Sequence, residues 1–190
     1  MQTNLSTRTD TGEATGRSLA TDLAIAVATG LVMALAKRYL DFHLGLPGHA
    51  GVGWIAALVA GTSLNPRRGM AVAAGASMAL WGIPVGFNHT LAYNLALYTS
   101  AAAVLDGVRW LRLPTRFAAG AALAGAAVHV AKFVFVFGNA LLSGTVRHVE
   151  AYGFTASLRN HVLFGLLGGL AGWALLGGGR RLRERAALPG

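Results

Sequence analysis

Six apolar blocks, separated by short polar or Gly- and Pro-containing stretches, carry almost the whole of this 190-residue sequence. Block length and Gly/Pro punctuation predict helices near residues 20–40, 50–64, 69–84, 88–108, 116–142 and 160–178. A helix crosses a bilayer with about 20 apolar residues, so the chain has room for six crossings and no sizeable domain beyond them. The second and third blocks are short. Pro66, Gly69, Gly82 and Pro84 punctuate them, which predicts kinks or half-crossings whose freed backbone groups are covered by neighbouring helices. The expected fold is an all-α polytopic membrane protein: a compact bundle of six transmembrane helices over residues 20–178, with a flexible tail over 1–19 and a basic tail over 179–190.

Composition changes this picture in two ways. Hydrophobic residues make up 54% of the chain and charged ones 12%, with a mean hydropathy of +0.53, which excludes a soluble domain with an ordinary polar surface. The net charge of +9 comes from arginines that punctuate the blocks. They read as topology signals and not as a nucleic-acid face. With the amino terminus in the cytoplasm, Arg8, Arg17, Arg67, Arg68, Arg109, Arg112, Arg116, Arg180, Arg181, Arg183 and Arg185 lie inside, against Lys37, Arg38, Arg147 and Arg159 outside. That distribution obeys the positive-inside bias and its inverse breaks it, so both termini are expected in the cytoplasm. The first twenty residues are polar and Thr-rich and do not read as a signal peptide. Cysteine is absent, which removes disulfides and thiolate chemistry. Trp54 and Trp110 suit either interfacial anchors or simple packing.

Against this background His129 and Lys132 stand out in the apolar run over residues 117–142. An ionisable group at membrane depth is costly unless it faces a protein interior or a watery cavity, and the i, i+3 spacing puts both on one helical face. On the expected topology they lie in the outer half of the fifth helix. Asn88 and His89 open the fourth helix from the same side, Asn94 and Tyr98 follow below, and Asn160 and His161 open the sixth. His43, His49, Arg147, His148, Tyr152 and Arg159 sit in the long loops above. Apolar walls with a few converging polar groups describe a small-molecule pocket, and an ammonium group suits an anionic or zwitterionic ligand. The candidate substrate-binding residues are His49, Asn88, His89, Asn94, Tyr98, His129, Lys132 and His161. The plainer account has Lys132 snorkelling to headgroups and His129 bonding a helix carbonyl, with Asn94 in an interhelical hydrogen bond and Asp106 in an ion pair beside Arg109 and Arg112.

Other chemistries find less support. The six histidines admit haem iron or a metal ion, yet only His129 lies well inside a helix, and no metal-binding set or cofactor is assigned. Intramembrane proteolysis needs Ser77 to meet His129, or two aspartates at depth, which are lacking. No Gly-rich loop followed by Lys and Ser/Thr is present to cradle phosphates. The expectation is a protein without catalytic activity; a His-ligated haem or metal protein, or a structural subunit of a larger membrane complex, remain as alternatives.

Small residues recur at four-residue spacing: Ala24 and Ala28, then Ala26, Gly30 and Ala34 on the first helix, Ala121 and Gly125 on the fifth, Gly165 and Gly169 on the sixth. Such stripes let helix backbones approach closely. Taken in order, the small-residue first helix, the long outer loop, the Gly/Ala-rich second and third helices joined by a short basic turn (WIAALVAGTSLNPRRGMAVAAGASMALWG), the basic inner loop and the Gly-rich sixth helix ending in RRLRER resemble the substrate-binding S component of energy-coupling factor (ECF) transporters. The resemblance covers most of the chain from Ala24 onward and is one of architecture. It implies capture of a small vitamin-like compound or metal ion at the outer face of a bacterial or archaeal plasma membrane. It also implies partners, a transmembrane coupling subunit and two ATPase subunits, with Ala24, Ala28, Ala26, Gly30 and Ala34 standing where the family's first helix docks the coupling subunit.

Overall fold

A computed structural model describes residues 17–40, 45–65, 67–111, 115, 117–144 and 151–186, with side chains as far as Gly177. The expected flexible tail before residue 17, and His43, Arg112, Arg116, Arg147, His148 and the side chains of the terminal arginines, lie outside the described residues. Among the described residues the regular structure is entirely helical: α1 (Leu19–Tyr39), α2 (Gly51–Leu64), α3 (Met70–Val85), α4 (Leu91–Trp110), α5 (Ala118–Ser143) and α6 (Phe154–Ala186). Three segments, α1, α5 and Phe154–Gly177 of α6, are long and apolar enough to cross a membrane. The helices α2 and α3 are apolar but shorter.

Local chemistry sets the helix ends. Ser18 caps α1 by accepting the Thr21 amide, and Thr90 caps α4 by accepting that of Tyr93; the latter starts α4 later than the expected residue 88. Pro84 lies in the last turn of α3, where it has no N–H to give the Leu80 carbonyl, and the helix stops directly after it at Val85. Gly86 takes φ 86°, and the Phe87 and Gly86 amides bond to the carbonyls of Gly82 (2.8 Å) and Ile83 (3.2 Å). That is the left-handed terminator a Cβ-bearing residue resists. The helix α6 departs furthest from expectation, starting at Phe154 rather than 160 and running past 178 to Ala186. At its start the Ser157 amide bonds to the Gly153 carbonyl at 3.1 Å, so Asn160 and His161 lie within the helix. At its far end, RRLRERA consists of strong helix formers, and the helix continues through the glycine triplet into the segment expected to be a tail.

The helices close into a ring in the order α1, α3, α4, α5, α6, α2, with α2 also reaching α5 across the middle. Trp54, Ile55, Leu58, Met33, Met78, Tyr98, Leu105 and Val128 fill its centre. Glycines make the close contacts. A Cβ on Gly125 would stand 2.3 Å from the Gly165 carbonyl oxygen, and one on Gly169 would stand 2.1 Å from that of Ala121. The two stripes on α5 and α6 therefore meet backbone to backbone. The same holds between α1 and α3, where a Cβ on Gly30 would meet Ser77 at 2.5 Å, and the Ser77 hydroxyl donates to the Val27 carbonyl at 3.1 Å. Ser77 thus packs α3 on α1.

Successive helices run in alternate directions, which sorts the polar groups to two ends. One end carries Arg17, Arg67, Arg68 and Arg109. There Asp22, fully buried in the first turn of α1, pairs with the Arg67 guanidinium at 2.7 Å. The Asn65 side-chain amide donates to the Asp22 carbonyl at 2.7 Å, and Arg109 donates to the Asn65 carbonyl at 3.2 Å. Asp106, expected in an ion pair beside Arg109 and Arg112, accepts the Val72 amide at 3.1 Å and so caps the start of α3 from α4, where a carboxylate is favoured.

Replacing Gly125 with Val should open the α5–α6 seam at a cost of about 3 kcal/mol, the upper end for overpacking. Gly138→Ala, whose added methyl meets nothing within 4 Å, should be neutral or slightly stabilising. Unfolding of the two variants in detergent checks the contrast.

Candidate functional site

The opposite end of the ring collects histidines and aromatic rings. Because α5 and α6 are antiparallel and joined at Gly125, Gly165 and Gly169, one more turn along each helix places His129 beside His161, with ring centroids 4.7 Å apart. The His129 Nδ1 lies 3.0 Å from the His161 carbonyl oxygen, and the His161 Nδ1 lies 2.8 Å from that of Ser157. A carbonyl only accepts, so each Nδ1 carries the proton. In a neutral ring this leaves Nε2 as the acceptor.

Among the described residues nothing bonds to the His129 Nε2, which is buried. It lies against Gly51, where a Cβ would stand 2.2 Å away, so the first residue of α2 is glycine for want of space. Gly48, at φ 90°, lies against both histidines: a Cβ there would be 3.2 Å from His161 and 3.3 Å from His129. The turn before α2 is thus folded onto the histidine pair. His49 bonds through Nδ1 to the Leu46 carbonyl within that turn and meets the Phe164 ring edge-on at 6.4 Å. The Tyr152 hydroxyl donates to the Gly45 carbonyl at 2.6 Å, tying the segment before α6 to the same turn.

Trp54 of α2 is the hub. Its indole, fully buried, meets His129 at 6.3 Å and Tyr98 at 5.7 Å, both edge-to-face, while the Lys132 Nζ stands 5.9 Å from its ring centroid. Cation–π contacts of this kind contribute roughly 0.5–2 kcal/mol. Among the described residues the indole N–H has no hydrogen-bond partner, and neither has the buried Ser157 hydroxyl. Each such orphan costs about 1–3 kcal/mol. Phe133 extends the cluster outward, 4.8 Å from His161 and 5.5 Å from Phe154.

The remaining expected residues form a second patch. The Asn94 side chain is buried and donates to the His89 carbonyl at 3.0 Å, a bond local to the start of α4 where an interhelical one was expected. His89 is exposed and its ring lies tilted against that of Tyr93, with centroids 4.5 Å apart. A half-open hollow of about 320 Å³ is lined by Gly82, Ile83, Phe87, His89, Leu91 and Asn94. Phe87 links it to the first patch through Tyr98, 5.9 Å away. Asn88 is exposed at the turn and joins neither cluster. The structure therefore brings His129, Lys132 and Tyr98 against Trp54, with His161 against His129 and His49 beside Phe164, and leaves His89 and Asn94 beside a half-open hollow.

On α1 the two small-residue stripes have different fates. Ala26, Gly30 and Ala34 are buried inside the ring, with Gly30 against α3, and so are closed to a partner. Ala24 and Ala28 are exposed. Sequence reasoning left Trp54 between anchor and packing and passed over Asp22; the small residues around Trp54 and the lone carboxylate in an apolar helix were the available signals. Among the described residues no group of three or more His, Cys, Asp or Glu side chains is placed to hold a metal ion. No protein-family model, no curated protein and no solved structure matches the chain.

Gly51→Ala should push the His129 ring off α2, since its methyl would fall on Nε2. We expect a loss of about 2 kcal/mol in stability and a shift in Trp54 emission; an unchanged emission spectrum would place His129 elsewhere.

Proposed function

We propose that this protein is the substrate-capture subunit of an ECF-type importer, without catalytic activity of its own. In this reading all six helices are embedded in a bacterial or archaeal plasma membrane, with the arginine end and both termini in the cytoplasm, in keeping with the positive-inside bias. The histidine end then faces outward and receives a small anionic or zwitterionic nutrient. The observation that carries the proposal is the gathering of His129, His161, Lys132, Tyr98 and Trp54 from α2, α4, α5 and α6 at the end of the bundle opposite the arginines. Ionisable groups held inside such a bundle mark ligand or ion paths. A coupling subunit would dock on the exposed Ala24 and Ala28 face of α1, and two ATPase subunits would supply the energy that this chain cannot.

The chain has no cysteine, so single cysteines report topology cleanly. Arg68→Cys should label from the cytoplasmic side and Asn88→Cys from the outer side. Native mass spectrometry of the solubilised protein should show a bound small molecule or a coupling complex, with Lys132→Ala reducing ligand occupancy about tenfold, the equivalent of one charged contact. Same-side labelling, or a protein carrying neither ligand nor partner, would sink the proposal. A Soret band or stoichiometric metal would instead identify a His-ligated haem or metal protein.

A further inference from the structure

The hollow between the end of α3 and the start of α4 shares no residue with the histidine cluster that carries the importer reading, and its walls are fixed by local bonds. Gly82 has no side chain, so the Phe87 ring folds down onto it. A Cβ there would stand 2.4 Å from that ring, and the Phe87 amide is tied to the Gly82 carbonyl at 2.8 Å. Thr90 caps α4 and brings in Asn94 one turn later, with the Asn94 amide on the Thr90 carbonyl at 3.0 Å. Ile83 and Leu91 supply aliphatic sides.

One polar atom of this lining is unused. Asn94 is 3% exposed, and its Nδ2 donates to the His89 carbonyl at 3.0 Å. A carbonyl only accepts, so the bond fixes which end of the carboxamide is nitrogen and leaves Oδ1 as an acceptor with no donor among the described residues. Unlike the Trp54 indole nitrogen and the His129 Nε2, Oδ1 is not sealed from solvent, and the open space that Asn94 lines is the hollow. An acceptor so largely desolvated is costly until a donor reaches it.

We infer that the hollow is a binding site for a small neutral ring compound carrying a hydroxyl or N–H group, with the ring against Phe87, Ile83 and Leu91 and the donor on Asn94 Oδ1. Size limits the occupant, because about 320 Å³ is at the lower end for ligand pockets and suits one ring with a short substituent, not a nucleotide. Charge limits it further. The Lys37 Nζ stands 5.7 Å from the Phe87 ring centroid, which disfavours a cation, and a carboxylate would meet Oδ1 acceptor to acceptor. The Phe87 ring and the Asn94 carboxamide are already held in place, so little ordering opposes binding. The site goes beyond the importer reading and does not depend on it.

Benzyl alcohol, benzyl methyl ether and benzylammonium share a ring and differ at the polar end, so titrating the three into the solubilised protein separates donor, acceptor and charge. With nitrogen-15 asparagine labelling, the Asn94 side-chain amide resonance is assigned by its loss in Asn94→Leu, and the other asparagines serve as controls. Benzyl alcohol should move it saturably, with the ether and the ammonium binding roughly tenfold more weakly, the equivalent of one hydrogen bond. Leu91→Trp, which fills the hollow, should abolish the shift while the other asparagine resonances stay in place and confirm the fold. In Asn94→Leu, followed through the Phe87 backbone amide, alcohol and ether should bind alike. An ether that binds the native protein as well as the alcohol does would make the hollow an apolar seat for acyl chains and overturn the inference. So would the absence of a saturable shift, a shift shared by every asparagine, which reports partition into the micelle, or one that survives Leu91→Trp. Alcohol binding by a protein that carries neither nutrient nor coupling subunit keeps the site and removes the importer; a copurified nutrient without alcohol binding does the reverse.

Discussion

The approach of α5 to α6 governs the rest of the molecule. With no hydrophobic drive between helices in lipid, association depends on packing and on polar contacts, and here the packing is backbone against backbone at Gly125, Gly165 and Gly169. One turn beyond that seam on each helix stand His129 and His161. Their 4.7 Å ring separation and the bond from His129 Nδ1 to the His161 carbonyl follow from helices too close for anything but glycine between them. A seam wider by one methyl group would put that carbonyl out of reach and release the His129 ring.

The second constraint is the pairing of α2 with both partners. Gly168 and Gly172 of α6 bring α2 in along the ring, and Gly51 lets its first turn sit on His129. Trp54 then projects into the centre one turn later, where α4 supplies Tyr98. At the far end, Asp22, Asn65, Arg67 and Arg109 tie α1, the α2–α3 turn and α4 together. A carboxylate buried without a cationic partner costs several kcal/mol, so Arg67 and Asp22 are mutually required. The ring is thus fastened by ionic and amide contacts at one end and held by glycine packing towards the other.

How far the sequence reveals this depends on polarity contrast. Helix number and approximate bounds follow from run length and punctuation, and the stripes on α5 and α6 identify a seam that the structure contains. The buried face of α1 was not legible. Ala24, Ala28, Ala26, Gly30 and Ala34 are alike in size and polarity, and a helix flanked by lipid on one side and protein on the other shows no polar face to separate the stripes. Only the neighbours decide it: Ser77 and Ala74 stand against Gly30. The candidate site divided in the same way. His129, His161, Lys132 and Tyr98 were legible because polar groups in apolar helices are conspicuous, while Asn88 and His89 were grouped with them by depth alone, which says nothing of azimuth around the ring.

Trp54 shows what depth and polarity together still miss. In sequence it is a tryptophan near a helix start, a position where interfacial anchoring and packing read alike; in the structure its ring is the surface on which His129, Tyr98 and Lys132 converge. Its unmet N–H and the unmet His129 Nε2 are costs a fold selected only for stability would shed, since an apolar residue of similar shape at either position removes the penalty. Local rules broken without structural gain concentrate where a protein binds something.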